Sequence, residues 1–135
     1  MKISPALITG ALIASTTFSI PAARADVINT VPTASQTVTD WYKQDVYDQS
    51  NAKIGQIVDV LVDRNGQVNA LIIGVGGFLG AGEKDVAVSF NTVKSTMKDN
   101  KVYLTMNTTK DALKQAPGFK YDRDTTTWVP DTASK

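Results

Sequence analysis

The residues of this chain that could do acid–base chemistry are carboxylates, because its 135 residues include no histidine and no cysteine. Without histidine, the usual general base near neutral pH and the commonest transition-metal ligand are both missing. Without cysteine there is no thiolate nucleophile, no disulfide framework, no soft metal site and no lipoprotein cysteine. Asp40, Asp45, Asp48, Asp59 and Asp63 remain. A pair of carboxylates held at a fixed separation can hydrolyse a glycosidic bond. These five, however, fall in turn and strand positions, the ordinary home of aspartate, and no spacing singles out a pair. Leu61-Val-Asp63-Arg-Asn65-Gly66 resembles the centre of a calcium loop. In an EF-hand register Leu61 takes the first ligand position and Ile72 the twelfth, where carboxylates are required, and a hairpin turn explains Asp63 and Gly66 without a metal. The sequence therefore assigns no catalytic residue, no metal ligand and no cofactor.

The second chemically suggestive stretch is glycine-rich. Gly74, Gly76, Gly77, Gly80 and Gly82 surround Phe78 and Leu79, and the charged step Glu83-Lys84-Asp85 follows. Gly77 to Lys84 brushes against the phosphate-binding loop pattern. It fails because Gly82 is followed by Glu83 rather than lysine, and because the next segment reads as a strand. A backbone anion cradle needs a helix N-terminus there. Gly74-Val-Gly76-Gly-Phe-Leu79 likewise lacks the third glycine of the dinucleotide fingerprint. Two readings of Phe78 and Leu79 stand. They tuck onto their own core, or they form a contact surface, since apolar side chains at a loop tip lose solvation free energy unless something covers them. In the second reading Gly76, Gly77, Phe78, Leu79, Gly80 and Gly82 form the partner-binding element, with Glu83, Lys84 and Asp85 as its polar rim.

The elements that must position this loop read mostly as strands. Val46-Tyr47 is a short strand candidate, and Asp48-Gln-Ser-Asn51 is a turn cluster. Ile54 to Val62 and Val68 to Val75 are β-branched runs joined by Asp63-Arg-Asn65-Gly66, the strongest hairpin signal in the chain. Gly55 marks a bulge or a close approach. The second run is apolar from Ala70 onward, as a strand buried on both sides would be. Val86, Val88 and Phe90 share one face of the next run, opposite Asp85, Ala87 and Ser89. Asn91 to Lys98 has no firm pattern beyond one helical turn, and Val102 to Met106 alternates again. Thr108 is placed as the N-cap of a short helix containing Asp111, Ala112 and Leu113, which Pro117-Gly118 ends. Phe119-Lys-Tyr121 closes the domain, and residues 122–135 read as a tail in which only Trp128 is suited to folding back. Short strands with one late helix predict an all-β fold, a small barrel or sandwich.

The N-terminus reads as an export signal. Lys2 gives the charged start, Ile3 to Ile20 is apolar and small, Pro21 breaks it, and Ala23-Arg24-Ala25 supplies a small-x-small cleavage site. Ser15, Thr16, Thr17 and Ser19 interrupt the run, which is short for a membrane span. The expected organisation is a signal peptide over 1–25, a flexible leader over 26–39, a folded domain over 40–121 and a tail over 122–135. Loss of Lys2 and Arg24 with the signal leaves 12 basic against 13 acidic residues. Their interspersion argues against a nucleic-acid footprint and against a polybasic membrane anchor. The expected product is periplasmic or secreted, with no integral membrane segment.

Taken together, Val46-Tyr-Asp48, Ile54-Gly-Gln-Ile-Val-Asp59, Leu61-Val-Asp-Arg-Asn-Gly66, Ile73 through Lys84 and Val86-Ala-Val-Ser-Phe90 resemble the PRC-barrel family, named for the H subunit of the photosynthetic reaction centre. Thr109 to Leu113 and Ala116-Pro-Gly-Phe119 are similar to the family's closing segment. The resemblance covers residues 40–121. It departs at Ser89, where the family commonly has proline, so this strand end is expected to be freer. The resemblance implies a PRC-type β-barrel with one short C-terminal helix, and a non-enzymatic interaction or regulatory module that binds a protein partner or self-associates. It does not transfer a partner. The alternative is a small-ligand or cation-binding barrel.

Overall fold

The computed structural model describes residues 2–6, 10–21, 25–76 and 82–133. The chain divides into two units, Met1–Thr33 and Ala34–Lys135. The described residues of the first carry no helix or strand and are exposed, Ile3, Leu12, Ile13, Phe18 and Ile20 among them. No helix among the described residues is long and apolar enough to cross a membrane.

In the second unit, alternating β-branched residues produce eight strands in one sheet. They are β1 Asp45–Tyr47, β2 Lys53–Val62, β3 Val68–Val75, β4 Lys84–Ser89, β5 Val93–Lys98, β6 Lys101–Met106, β7 Phe119–Asp122 and β8 Thr127–Pro130, with one helix, α1 Lys110–Gln115, between β6 and β7. The order across the sheet is β5-β6-β1-β2-β3-β4-β7-β8. Among the described residues only β1 and β6 pair in parallel. The fold is all-β with one short helix, as expected. The expected closed barrel is not what the hydrogen bonds form: β5 and β8 stand at opposite ends of the order, and the ladder does not join them. A single core still forms, because Val46, Ile54, Ile57, Leu71, Ile73, Val86, Val93 and Leu104 from β1 to β6 pack with Trp41 and with Leu113 of α1. Burying each such aliphatic side chain is worth roughly 1.5–3 kcal/mol.

The turns follow from local chemistry. At the β2–β3 turn, Asp63 Oδ1 accepts from the N–H groups of Asn65 and Gln67 at 2.8 and 3.0 Å, and Gly66 takes the left-handed conformation at φ 80°. Asp99 and Asn100, at φ 51° and 60°, make the two-residue turn that joins β5 to β6. Asn91 to Lys98, where the sequence shows no firm pattern, completes a 3-10 turn at Phe90–Thr92 and then forms β5. Ser89, in place of proline, has φ −64°, and its carbonyl accepts from the Thr92 hydroxyl at 2.6 Å, so this strand end is held after all.

Three boundaries move. The N-cap of α1 is Thr109, not Thr108: its Oγ1 accepts from Ala112 N–H at 3.1 Å. The ordered region begins before Asp40, since Val38–Asp40 form a 3-10 turn capped by Thr37 and Gln36 Oε1 accepts from the Trp41 indole at 3.1 Å. The segment read as a tail contains β8, paired with β7 from Phe119↔Pro130 to Asp122↔Thr127. Trp128 does fold back: its Nε1 donates to Asp59 Oδ2 at 2.7 Å.

Candidate functional site

β3 and β4 run in register from Ala70↔Ser89 to Val75↔Lys84, and the glycine loop leaves the sheet at that last pair. Phe78 and Leu79, with Gly77 and Gly80, lie outside the described residues. Gly76, Gly82, Glu83, Lys84 and Asp85 form the described base. Gly76 and Gly82 both lie in the left-handed region, at φ 80° and 72°, where a side chain would be strained. They set the exit and return directions of the loop.

The charged step behaves as three separate side chains. Lys84 Nζ donates to the Lys114 carbonyl at 2.8 Å, so a cation caps the C-terminal turn of α1 and ties the helix to the loop base. The carboxylate of Glu83 occupies the space that a Cβ on Gly74 would need. Asp85 sits in β4 between Gly74 of β3 and Phe119 of β7 and is half-buried. That desolvation, followed by the nearby charge of Glu83, raises its pKa above the ordinary carboxylate value. Gly55 is a close-approach point as its strand position suggests: a Cβ there would lie 2.5 Å from Ile73 Cγ2 and 2.8 Å from the Gly74 oxygen.

The chain matches a family profile: the PRC-barrel domain profile covers residues 36–113, more than half of the chain. The chain belongs to the PRC-barrel family. The match starts at Gln36, where the side chain that holds Trp41 stands, and stops at Leu113, the buried anchor of α1. The β7–β8 hairpin therefore lies beyond the matched PRC-barrel residues, as does the closing segment Ala116–Phe119. No curated protein matches the chain.

Around this PRC-barrel core the five early aspartates do not converge. Asp48 Oδ1 accepts from the Ser50 hydroxyl, Ser50 N–H and Ala52 N–H, at 2.7–2.9 Å. The Ser50 hydroxyl above all, then the Ala52 N–H, pulls its pKa below the ordinary value. Asp63 closes the β2–β3 turn, Asp45 pairs with Lys53 at 2.8 Å, and Asp59 receives Trp128. Among the described residues no three carboxylates are grouped to hold a metal ion. What the sequence did not announce is a set of lysines brought to one groove beside β1 and β6. Lys98 and Lys101 flank the β5–β6 turn, but Lys43 is far from them in order, and only the β1–β6 pairing brings it beside them.

Proposed function

We propose that this chain is an exported, non-enzymatic PRC-barrel module that binds a protein partner or associates with itself through the loop from Gly76 to Asp85. The supporting observation is the construction of the loop base. Left-handed glycines at both ends, the Lys84–Lys114 tie and Glu83 over Gly74 fix where the chain leaves and re-enters the sheet. Fixing the two ends of the segment that carries Phe78 and Leu79 removes the ordering cost those ends would otherwise pay on binding. In this reading the curled sheet serves as the family's small barrel, and residues 1–25 are removed on export. Mature protein isolated from the periplasm or medium should then begin at Asp26, as intact-mass measurement would show.

The carboxylates support a non-catalytic role, since Asp45, Asp48, Asp59 and Asp63 each have a local structural task. The cation version of the alternative reading draws less support for the same reason: Asp48 and Asp63 already accept backbone N–H groups.

The experiment is a Phe78→Ser/Leu79→Ser double substitution in the full chain, combined with crosslinking and mass spectrometry in the native envelope. The expected result is an unchanged circular dichroism spectrum with loss of the crosslinked partner, or of the dimer. A folded variant with unaltered crosslinks would overturn the loop reading.

A further inference from the structure

β1 and β6 pair in parallel only at Val46↔Leu104 and Tyr47↔Thr105. Before that point the chain turns toward β2: Lys43 N–H donates to the Ile57 carbonyl, and Ile57 N–H donates to the Gln44 carbonyl, both at 2.9 Å. The facing residues of β6 instead follow β5, through Lys98↔Lys101 and Thr96↔Tyr103. The two strands therefore diverge, and a groove of about 460 Å³ opens between them.

The groove's side chains carry a net positive charge. Lys43 stands on one wall and Lys98 and Lys101 on the other, and all three are exposed. Asp45 is neutralised by Lys53 at 2.8 Å, which leaves Asp99 as the one unpaired acid on the lining. Among the described residues the three lysines have no carboxylate within ion-pair distance. Between the walls two aromatic side chains of the lining are held in place. Tyr47 and Tyr103 stack with centroids 4.7 Å apart, and the Tyr103 hydroxyl donates to Asn51 Oδ1 at 2.8 Å. Lys98 Nζ lies 4.9 Å from the Tyr103 ring, so one ammonium is held in place at the groove.

We propose that this groove binds an acidic peptide segment, with carboxylates reaching Lys43 on one wall and Lys98 and Lys101 on the other, and an apolar side chain against Tyr47 and Tyr103. Charge complementarity selects the ligand: lysines without a carboxylate partner flank aromatic side chains, and a short acidic peptide carries carboxylates on either side of an apolar residue. This site is separate from the glycine loop, and its variants leave that loop untouched.

The test uses the isotopically labelled full chain, titrated with an acetylated Glu-Glu-Leu-Glu-Glu amide while amide chemical shifts are followed. Shifts should concentrate at Lys43, Asp45, Val102 and Tyr103 and shrink as salt rises. A Lys43→Glu/Lys101→Glu variant should bind about tenfold more weakly, because two exposed attractions become repulsions. Its Lys43→Arg/Lys101→Arg counterpart should bind as the parent does, and Lys120→Glu on β7 should change nothing. Equal binding by the charge-reversed variant, or shifts centred elsewhere, would overturn the proposal. So would pyrophosphate producing the same shifts at lower concentration, which would make the groove a small-anion site.

Discussion

The ladder β2–β3–β4 and the hairpin β7–β8 belong to the same sheet but are held in it by different means. β3 pairs with β2 from Val68 to Gly74 and with β4 from Ala70 to Val75, and Leu71, Ile72, Ile73 and Val75 have no exposed surface. β7 joins β4 through one residue pair, Asp85↔Phe119, and neither β7 nor β8 contributes a fully buried side chain. What binds the hairpin to the rest is long-range and particular. The Trp128 indole donates to Asp59, while within the hairpin Tyr121 meets the Trp128 ring edge-on at 5.8 Å and steadies it. Asp59 stands opposite Ile72, so this contact puts Trp128 on the face of β3 that points away from the main core. The first region draws its stability from area and register. The second depends on one hydrogen bond and one strand pair, and it lies outside the matched family domain.

The largest effect should come from the ladder. Ile73→Ala removes a fully buried side chain whose neighbours are held on both sides and cannot collapse into the space. Urea denaturation should show a loss of about 2–5 kcal/mol. Gly55→Ala should be next. Its new methyl group would press on Ile73 Cγ2 and on a backbone oxygen that the ladder fixes. A cost of about 1–3 kcal/mol is expected by the same measurement. A Gly55→Ala variant as stable as its parent would show that β2 and β3 can separate, and the contrast with β7–β8 would lose its basis.

The same contrast explains what was legible in the sequence. Ile54 to Val62, Asn65-Gly66 and the apolar run to Val75 signal their structure locally, because strand alternation and turn chemistry are nearest-neighbour properties. The hairpin of β7 and β8 has no such signal. Thr127-Trp128-Val129-Pro130 is too short to show a period, and its position depends on Asp59, sixty-nine residues earlier. β5 was obscured for a related reason. As an edge strand it exposes Lys94, Thr96, Met97 and Lys98, so its apolar face amounts to little more than Val93. The glycine loop was legible as a loop, and Gly76 and Gly82 are where it turns. The tie between Lys84 and Lys114 was not, since a lysine capping a helix carbonyl looks in sequence like any other lysine. The lysine groove was hidden in the same way, because it exists only where β1 and β6 part.

Trp128→Phe tests the weaker region. The variant keeps an aromatic ring but loses the donor to Asp59, at a cost of about 1 kcal/mol for a hydrogen bond to a charged acceptor that water can partly replace. Hydrogen exchange is the informative measurement. Amides of residues 119–130 should exchange faster by roughly a factor of five to ten, while those of Leu71 to Ile73 keep their protection. Equal acceleration in both regions would show that the hairpin and the ladder open as one unit.

The smallest effect should arise at Asp85, the residue through which the two regions meet. Its pKa is raised, first by desolvation and then by Glu83, so the native state holds this proton more tightly than the unfolded chain does. By linkage, stability must then fall as pH rises from the unfolded carboxylate value, 3.8, through the higher native one. Asp48 and Asp122 act in the opposite sense. Their pKa values are lowered, by the Ser50 hydroxyl and by the Asp124 N–H above all, so their contribution is present above 3.8 and is lost as pH falls through the native values. The three effects overlap in the parent protein, and a substitution separates them. Asp85→Asn, which cannot ionise, should match the parent at low pH, gain on it as pH rises from 3.8 through the native pKa of Asp85, and keep a constant advantage above that. Urea denaturation at a series of pH values would show the two stability curves diverging upward in pH. Curves that stay parallel would mean that Asp85 is solvated in the native state, and that the single pair joining β7 to β4 does not shield it.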